Sequence, residues 1–270
     1  MSAAEPPGLA VRTGPLGPVV CTPRTTVSTV STMRRDRWVP LDHLQFNEDY
    51  YRNNGQLGDR PALSYYTRLV GRYIKQTPIL DFGCGTGHLV RRLSDLGRAD
   101  GFETSSYSAA AARQTSPSSQ IYESLAAIPD AVYGGLTAVH VVEHLSDDDV
   151  AESLEEWRRI MRPGARALVV TPDLTGFGRA LAQDAWDGFS DRTHINLKSH
   201  ADWKRTLEGG GFSVTREGSD GLWNVPYGRG PKLLEAARYS VPSLTQFLSG
   251  RLFLRPGTGE SSVFIVSRAD

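Results

Sequence analysis

The alternation of strand-like and helix-like segments between Thr77 and Val266 constrains the fold of this chain most. Short apolar runs such as "PILDF" and "LTAVHVV" alternate with longer segments in which apolar residues recur every three or four positions. Val150, Leu154 and Trp157 have this spacing and predict an amphipathic helix. Strands that alternate with helices of this length are typical of a parallel sheet with helices on both faces. We therefore expect an α/β fold with a doubly wound, mostly parallel sheet.

Three segments differ from this alternation. Residues 1–36 are rich in Pro, Gly, Ser and Thr and predict a disordered tail, most of which a start at Met33 would remove. Residues 37–76 contain two aromatic-rich helical pieces and predict an N-terminal helical cap on a main domain of residues 77–270. Residues 222–258 lie between two predicted strands and are far longer than an ordinary connection between strands. We expect a lid-like insertion there.

Composition and charge disfavour several classes of protein. Thirty basic and thirty acidic residues cancel, which disfavours a nucleic-acid partner because phosphate binding needs a basic surface. The only cysteines, Cys21 and Cys84, are too few for a disulfide framework and favour a cytoplasmic location. No apolar run is long enough to predict an integral membrane segment. The sequence leaves a homodimer open.

The stretch "ILDFGCGTGHL" places three glycines directly after the first predicted strand. In doubly wound sheets, ligands bind at this turn, outside the carboxyl ends of the strands. The dinucleotide fingerprint GxGxxG/A needs a small residue where this chain has His88. Asp81, just before the turn, would also lie poorly beside a pyrophosphate. A nicotinamide dehydrogenase is therefore disfavoured.

An acidic residue at the end of the second predicted strand suggests a different ligand. Glu103 lies twenty residues beyond Gly83, where a carboxylate can accept hydrogen bonds from both hydroxyls of a ribose. Together with Asp81, it favours an adenosine that carries a cationic tail without phosphate. S-adenosylmethionine has this structure, and we predict it as the cofactor.

Four motifs, "LDFGCGTGHL", "GFETS", "HVVEHL" and "RPGARALVVTPD", resemble in order and spacing those of the class I S-adenosylmethionine-dependent methyltransferases. The resemblance extends from Thr77 to Val266 and implies a Rossmann-like sheet. It also implies that Ser124 lies where an Asp commonly meets the adenine amino group, so that adenine recognition would rely on the Leu125 backbone. The cofactor-binding residues that it implies are Asp81, Gly83, Cys84, Gly85, Glu103, Thr104, Ser124 and Leu125.

Two histidines follow predicted strands on the cofactor side of the sheet. Methyl transfer from a sulfonium needs alignment of the acceptor, and a hydroxyl or ammonium acceptor also needs a base. We predict His194 as this base, oriented by Asp191, with His144 as the second candidate. The alternative roles are loop bracing for His194 and helix or cofactor packing for His144. His140 falls within a strand pattern and is expected in the core. No metal site is predicted.

The acceptor is predicted by exclusion. Enzymes that methylate amino groups of nucleic acids or proteins usually carry Asn or Asp followed by Pro-Pro and an aromatic residue after the fourth strand, where this chain reads "VEHL". Cytosine-C5 chemistry needs a Pro-Cys pair, which is missing there. We therefore expect a small-molecule acceptor, methylated on O, N or C, in an aromatic pocket that includes Tyr50, Tyr51 and Trp223. The alternative is an S-adenosylmethionine-binding protein without methyl transfer, either cyclase-like or a binding module.

Overall fold

A seven-stranded sheet lies at the centre of the residues that the computed structural model describes, which are 46–55, 57–223 and 232–269. The strand order is β3-β2-β1-β4-β5-β7-β6. The first five strands are parallel, and β7 runs antiparallel to both β5 and β6. This confirms the predicted mostly parallel, doubly wound sheet. The strands are β1 (Ile79–Phe82), β2 (Ala99–Phe102), β3 (Ile121–Tyr122), β4 (Tyr133–Val139), β5 (Met161–Pro172), β6 (Phe212–Ser219) and β7 (Ser261–Arg268).

Helices cover both faces of the sheet. Trp157 and Trp203 are fully buried on one face, and Leu89, Leu93 and Ala112 belong to the apolar cluster on the other. The helices of the described residues are α1 (Glu48–Asn53), α2 (Pro61–Leu69), α3 (His88–Leu93), α4 (Ser106–Thr115), α5 (Asp147–Ile160), α6 (Phe177–Ala182), α7 (Asp187–Ser190), α8 (His200–Gly209) and α9 (Lys232–Ser249).

The apolar runs of the central strands explain this arrangement. Ile79 and Leu80 of β1 are both buried but belong to different apolar clusters, because successive side chains of a strand point to opposite faces. A strand that is covered on both faces therefore needs a continuous apolar run rather than an alternating one.

The predicted N-terminal cap contains two helices in its described part. The side chain of Asn47 accepts a hydrogen bond from the backbone of Tyr50 and caps α1 at its first turn. Pro61 occupies the first turn of α2, where its missing N–H costs nothing. Ser105, the N-cap of α4, donates a 2.8 Å hydrogen bond to the Phe46 carbonyl and ties the cap to the sheet domain.

The described part of the insertion packs beside α2. Phe247 of α9 lies 6.1 Å from Tyr65, measured between ring centroids. Arg68 donates a 2.7 Å hydrogen bond to the Phe247 carbonyl, and Arg72 donates one of 2.9 Å to Gly250. The predicted disordered tail and residues 224–231 of the insertion lie outside the described residues. Among the helices that are described, none combines the length and the hydropathy that crossing a membrane requires.

Candidate active site

One cleft lies where β1, β2 and β4 end, at the carboxyl edge of the sheet. It is also bordered by α1 and by the loop that leads from α7 to α8. Ligand sites of doubly wound folds lie at this edge. Of the predicted site residues, those that line the cleft are Asp81, Gly83, Cys84, Gly85, Glu103, Thr104 and His144.

The three glycines after β1 have different neighbours although all have positive φ angles of 52° to 83°. A Cβ at Gly83 would lie 2.6 Å from Val141, and one at Gly87 would lie 2.7 Å from Ala112. At Gly85 the Cβ would be less crowded, with the Tyr51 hydroxyl as its nearest neighbour at 3.3 Å. The turn therefore consists of glycines partly because Val141 and Ala112 pack against it and leave no space for side chains. Gly85 is the glycine whose open side faces the roof of the cleft.

Glu103 fastens this turn to the end of β2. Its two carboxylate oxygens accept hydrogen bonds from the backbone amides of Gly85, at 2.9 Å, and Ser105, at 2.8 Å. Burial raises the pKa of Glu103, while the backbone hydrogen bonds work in the opposite direction. Each carboxylate oxygen has a further lone pair, so the same side chain has the capacity to accept the two hydroxyls of a ribose.

Asp81 lies at the floor of the cleft in a buried position. Thr137 of β4 donates a 2.6 Å hydrogen bond to Asp81 Oδ1. Burial raises the pKa of Asp81 to about 7, the Thr137 hydrogen bond lowers it, and the nearby Glu103 charge raises it. A cation bound beside Asp81 would stabilise its ionised form, which fits the sulfonium and ammonium groups of the predicted cofactor.

Two neighbouring tyrosines of α1 cover different parts of the cleft. Tyr51 lies against Gly85, and its hydroxyl is 3.0 Å from that of Ser108 in α4. Tyr50 instead donates a 3.0 Å hydrogen bond to Asp191. From the sequence, both tyrosines are predicted to line the acceptor pocket. In the structure, Tyr51 faces the glycine turn and Tyr50 faces the opposite side.

That opposite side contains a group of polar residues that we call the histidine cluster: Glu143, His144, Asp191, Thr193 and His194. Thr193 Oγ1 donates a 2.6 Å hydrogen bond to Asp191 and lies 2.8 Å from His144 Nδ1. His144 Nδ1 is also 3.2 Å from the Thr193 carbonyl, which can only accept, so Nδ1 carries the proton. Burial lowers the pKa of His144, although Glu143 opposes this. This favours the neutral imidazole, in which the lone pair lies on Nε2.

His194 lies behind His144 rather than in the wall of the cleft. Its Nδ1 is 2.8 Å from the Gly188 carbonyl, and the two imidazole centroids are 4.8 Å apart. His194 Nε2 is 3.9 Å from Asp191, beyond hydrogen-bond distance. Asp191 thus connects to His144 through Thr193 instead of orienting His194 directly. The structure brings the three predicted catalytic residues together, but in a different order from the one expected.

His140 corrects one expectation. The sequence placed it inside a strand and in the core, but β4 ends at Val139 and His140 has a φ of 57°. Its side chain is 32% exposed, lines the cleft and has Nδ1 3.2 Å from Glu143 Oε1. Burial by itself would raise the pKa of Glu143, but the hydrogen bond from His140 and the nearby histidines lower it overall. Glu143 is therefore a buried carboxylate.

Besides His194 and Asp191, three residues expected around the ligands do not line the cleft. Ser124 is exposed at the start of a 3-10 turn, and Leu125 is buried in the core with its carbonyl bonded to Arg159. Trp223 is 41% exposed and packs on Phe247. No described residue of 222–258 lines the cleft. The sequence reasoning also missed Thr193, which no local pattern distinguishes from other loop threonines.

The fold and this site define a class. A glycine turn after β1, an acidic residue after β2 and an open cleft at the carboxyl edge of the sheet are the features of an S-adenosylmethionine-dependent methyltransferase. A family model described as a methyltransferase domain matches residues 53–217, which is more than half of the chain. The protein therefore belongs to this methyltransferase family and uses S-adenosylmethionine as its cofactor. No curated protein matches the sequence significantly.

Several solved structures of methyltransferases have the same fold. The CcbJ methyltransferase from Streptomyces caelestis has a TM-score of 0.59 at 16% identity, over 85% of this chain and 100% of the other. A methyltransferase from Thermotoga maritima, described as a possible histamine N-methyltransferase, has a TM-score of 0.57 at 16% identity, over 84% and 100%. The mitomycin 7-O-methyltransferase MmcR has a TM-score of 0.55 at 18% identity, over 85% of this chain and 61% of its own. At these identities the likeness shows the fold alone.

Proposed function

We propose that this methyltransferase transfers the methyl group of S-adenosylmethionine to an oxygen, nitrogen or carbon atom of a small-molecule acceptor. One observation carries the proposal: the glycine turn and the histidine cluster border the same cleft beneath the aromatic residues of α1. The space between them is suited to an acceptor that is enclosed by side chains. Two of the structures with this fold are named for small acceptors, mitomycin and histamine.

The cofactor would bind on the side of the turn. We infer that Glu103 accepts hydrogen bonds from the ribose and that Thr104 lies against the adenine. Gly83, Cys84, Gly85 and Asp81 would line the methionine part, where the ionised Asp81 offsets the positive charge of the ligand. Asp81 and Glu103 are both buried, and burial of an ionised carboxylate without a cation costs free energy. This supports a cationic ligand beside them.

The acceptor would bind on the side of His144. Methyl transfer requires the nucleophilic atom to be aligned with the carbon–sulfur bond that breaks, and a hydroxyl or ammonium must lose its proton. His144 lines the cleft and has a lone pair on Nε2 for which the described residues provide no partner. We infer that the histidine cluster binds the nucleophilic atom and promotes loss of its proton, with Asp191 acting through Thr193.

The full chain with methyl-tritiated S-adenosylmethionine would test this function. We expect label to move to members of a panel of small phenols, alcohols and amines, and not to duplex DNA, tRNA or protein. Transfer to one of these macromolecules would contradict the proposal. Binding of S-adenosylhomocysteine at one hundred times its dissociation constant should raise the free energy of unfolding by about 2.7 kcal/mol, whereas NAD should not. Tight binding without transfer to any acceptor would favour a binding protein.

We also propose that the enzyme acts in the cytoplasm. Cys84 is a free thiol and is buried beside the glycine turn. A reducing compartment would keep this thiol intact. Fractionation of cells that express the tagged full chain would test the location, and recovery in a secreted or membrane fraction would contradict it.

A further inference from the structure

We propose that Glu143, His144 and His194 bind a divalent transition-metal ion beside the acceptor. Each of the three offers one ligand atom, and these atoms all lie within 4.8 Å of one another. They come from two separate loops, one after β4 and one between α7 and α8. The backbone amides of Ile195 and Asn196 both donate 3.0 Å hydrogen bonds to the Glu143 carbonyl and hold the two loops together.

The carboxylate of Glu143 supplies the first independent sign of a missing ligand. Its side chain has no exposure to solvent, and Oε1 interacts with His140. Its Oε2 has no hydrogen-bond partner among the residues that the structure describes. An unpartnered carboxylate oxygen in a buried place is costly, and such groups normally pair with a charge or coordinate a metal. A cation between Glu143 and the two histidines would remove this cost.

The hydrogen bonds of the two histidines supply the second sign. In each imidazole, Nδ1 is held by a backbone carbonyl, that of Thr193 at 3.2 Å for His144 and that of Gly188 at 2.8 Å for His194. In the neutral imidazole, this places the proton on Nδ1 and leaves the lone pair on Nε2. Histidines that ligate metals almost always donate their other N–H in this way. Asp191, behind Thr193, adds the outer carboxylate that commonly supports such a ligand.

The ligand set defines the class of metal. Two imidazole nitrogens and one carboxylate suit zinc, iron, cobalt, nickel or manganese better than calcium. Three protein ligands leave further coordination positions open, as in catalytic zinc sites. With bonds of about 2.0–2.2 Å, two ligand atoms of a tetrahedral site lie about 3.4 Å apart. The widest pair of the cluster, which lies within 4.8 Å, therefore has to close by up to about 1.4 Å when the ion binds.

The metal would deepen the proposed function, on which this part of the inference rests. A hydroxyl of the acceptor that coordinates an open position ionises more readily, and its proton passes to solvent. The resulting oxygen attacks the methyl carbon, the new oxygen–carbon bond forms, and the carbon–sulfur bond breaks. Its electron pair stays on sulfur and S-adenosylhomocysteine leaves. The acceptor class would then be a small molecule with a hydroxyl or phenol at the methylated position.

Metal binding is tested without cofactor or acceptor, so that its outcome does not depend on the methyltransferase function. The full chain, freed of metal with a chelator, would be titrated with Co²⁺ by absorption spectroscopy and with Zn²⁺ and Mn²⁺ by calorimetry. We expect one equivalent to bind. The Co²⁺ spectrum should have the visible bands of nitrogen coordination.

Three variants locate the ion. Glu143→Gln and His194→Asn each remove a ligand and should weaken binding by more than about a hundredfold, because the loss of an outer partner alone costs tenfold to a hundredfold. Thr193→Val, which removes only the outer hydroxyl, should cost about tenfold. Glu217→Gln is the matched control, since Glu217 lies 3.3 Å from His200 in a second histidine–carboxylate pair, and it should bind normally.

Two results would overturn the proposal: no binding up to millimolar metal by the folded wild-type chain, or unchanged affinity in the ligand variants. Circular dichroism and thermal melts establish that each variant is folded, and Thr193→Val provides the test if Glu143→Gln is not. If metal binds but methyl transfer to every small hydroxyl compound is missing, the metal site stands and the proposed acceptor fails. If methyl transfer occurs unchanged in the presence of a chelator, the role of the metal in catalysis fails and the proposed function stands.

Discussion

Tyr50 donates a 3.0 Å hydrogen bond to Asp191, which lies 141 positions further along the chain. Asn54 donates a second one to the same carboxylate oxygen at 3.2 Å. These contacts hold α1 against the loop that carries Asp191, Thr193 and His194 of the histidine cluster. The N-terminal helix therefore packs on the side of the cleft where we propose that the acceptor binds.

The two tyrosines of α1 should have separable effects. Tyr50→Phe removes a hydrogen bond to Asp191 but leaves Gly85 untouched, so we expect a higher acceptor KM with an unchanged Kd for S-adenosylhomocysteine. Tyr51→Ala removes the ring that lies against Gly85, so we expect weaker S-adenosylhomocysteine binding. Steady-state kinetics and calorimetry on both variants measure this. A Tyr51→Ala protein that is folded and binds S-adenosylhomocysteine normally would contradict the assignment.

Substitutions at Gly83 and Gly85 should differ in their effect on cofactor binding. Gly83→Ala places a Cβ 2.6 Å from Val141, in a backbone conformation that favours glycine, and should lower the free energy of unfolding by more than about 1 kcal/mol. Gly85→Val has the same backbone strain, at a φ of 52°, so it should also lower the free energy of unfolding, but in addition it should block the cofactor. Thermal unfolding and S-adenosylhomocysteine titrations compare the two. Normal cofactor affinity in Gly85→Val would refute the placement of the ligand.

Asp81 should make cofactor affinity depend on pH. Burial raises its pKa to about 7 in the folded protein, against about 3.9 in an unfolded chain. Between these values the folded state holds a proton that the unfolded state has lost, so the contribution of Asp81 to stability falls as pH rises from about 4 to 7. The same ionisation creates the negative charge that a cationic ligand requires. We therefore expect S-adenosylmethionine to bind more tightly at pH 8 than at pH 6.

The neutral product is the internal reference for this effect. S-adenosylhomocysteine has no sulfonium charge, so the ratio of its Kd to that of S-adenosylmethionine should increase with pH. In Asp81→Asn, whose amide oxygen can still accept from Thr137, the ratio should be flat. Calorimetry at several pH values measures both constants. A ratio that stays constant with pH in the wild-type protein would show that Asp81 does not face the sulfonium, since both ligands have the ammonium group.

The histidines should affect turnover more than cofactor binding. Loss of a group that assists proton removal typically slows the reaction by about a hundredfold to ten-thousandfold. Since His144 lines the cleft and His194 lies behind it, we expect His144→Ala to have the larger effect on kcat, with Kd for S-adenosylhomocysteine unchanged. Single-turnover measurements would test this. Full activity in His144→Ala would point to an acceptor that needs no proton removed.

The sequence by itself determined the sheet and one side of the site. Apolar runs such as that of β1 require burial on both faces, and only a doubly wound sheet with helices provides it. The glycine turn, Asp81 and Glu103 lie within 25 residues of one another. Their positions follow from the strand ends, which local patterns predict.

Tertiary structure alone decided the acceptor side. The cluster of Glu143, His144, Asp191 and Thr193 joins loops about 50 residues apart, and Tyr50 reaches it from 141 positions earlier in the chain. The packing of long-range loops has no local signature, because hydrogen bonds between side chains depend on distances that no spacing along the chain encodes. For the same reason the sequence assigned His140 to the core, although a backbone turn after Val139 places it in the cleft.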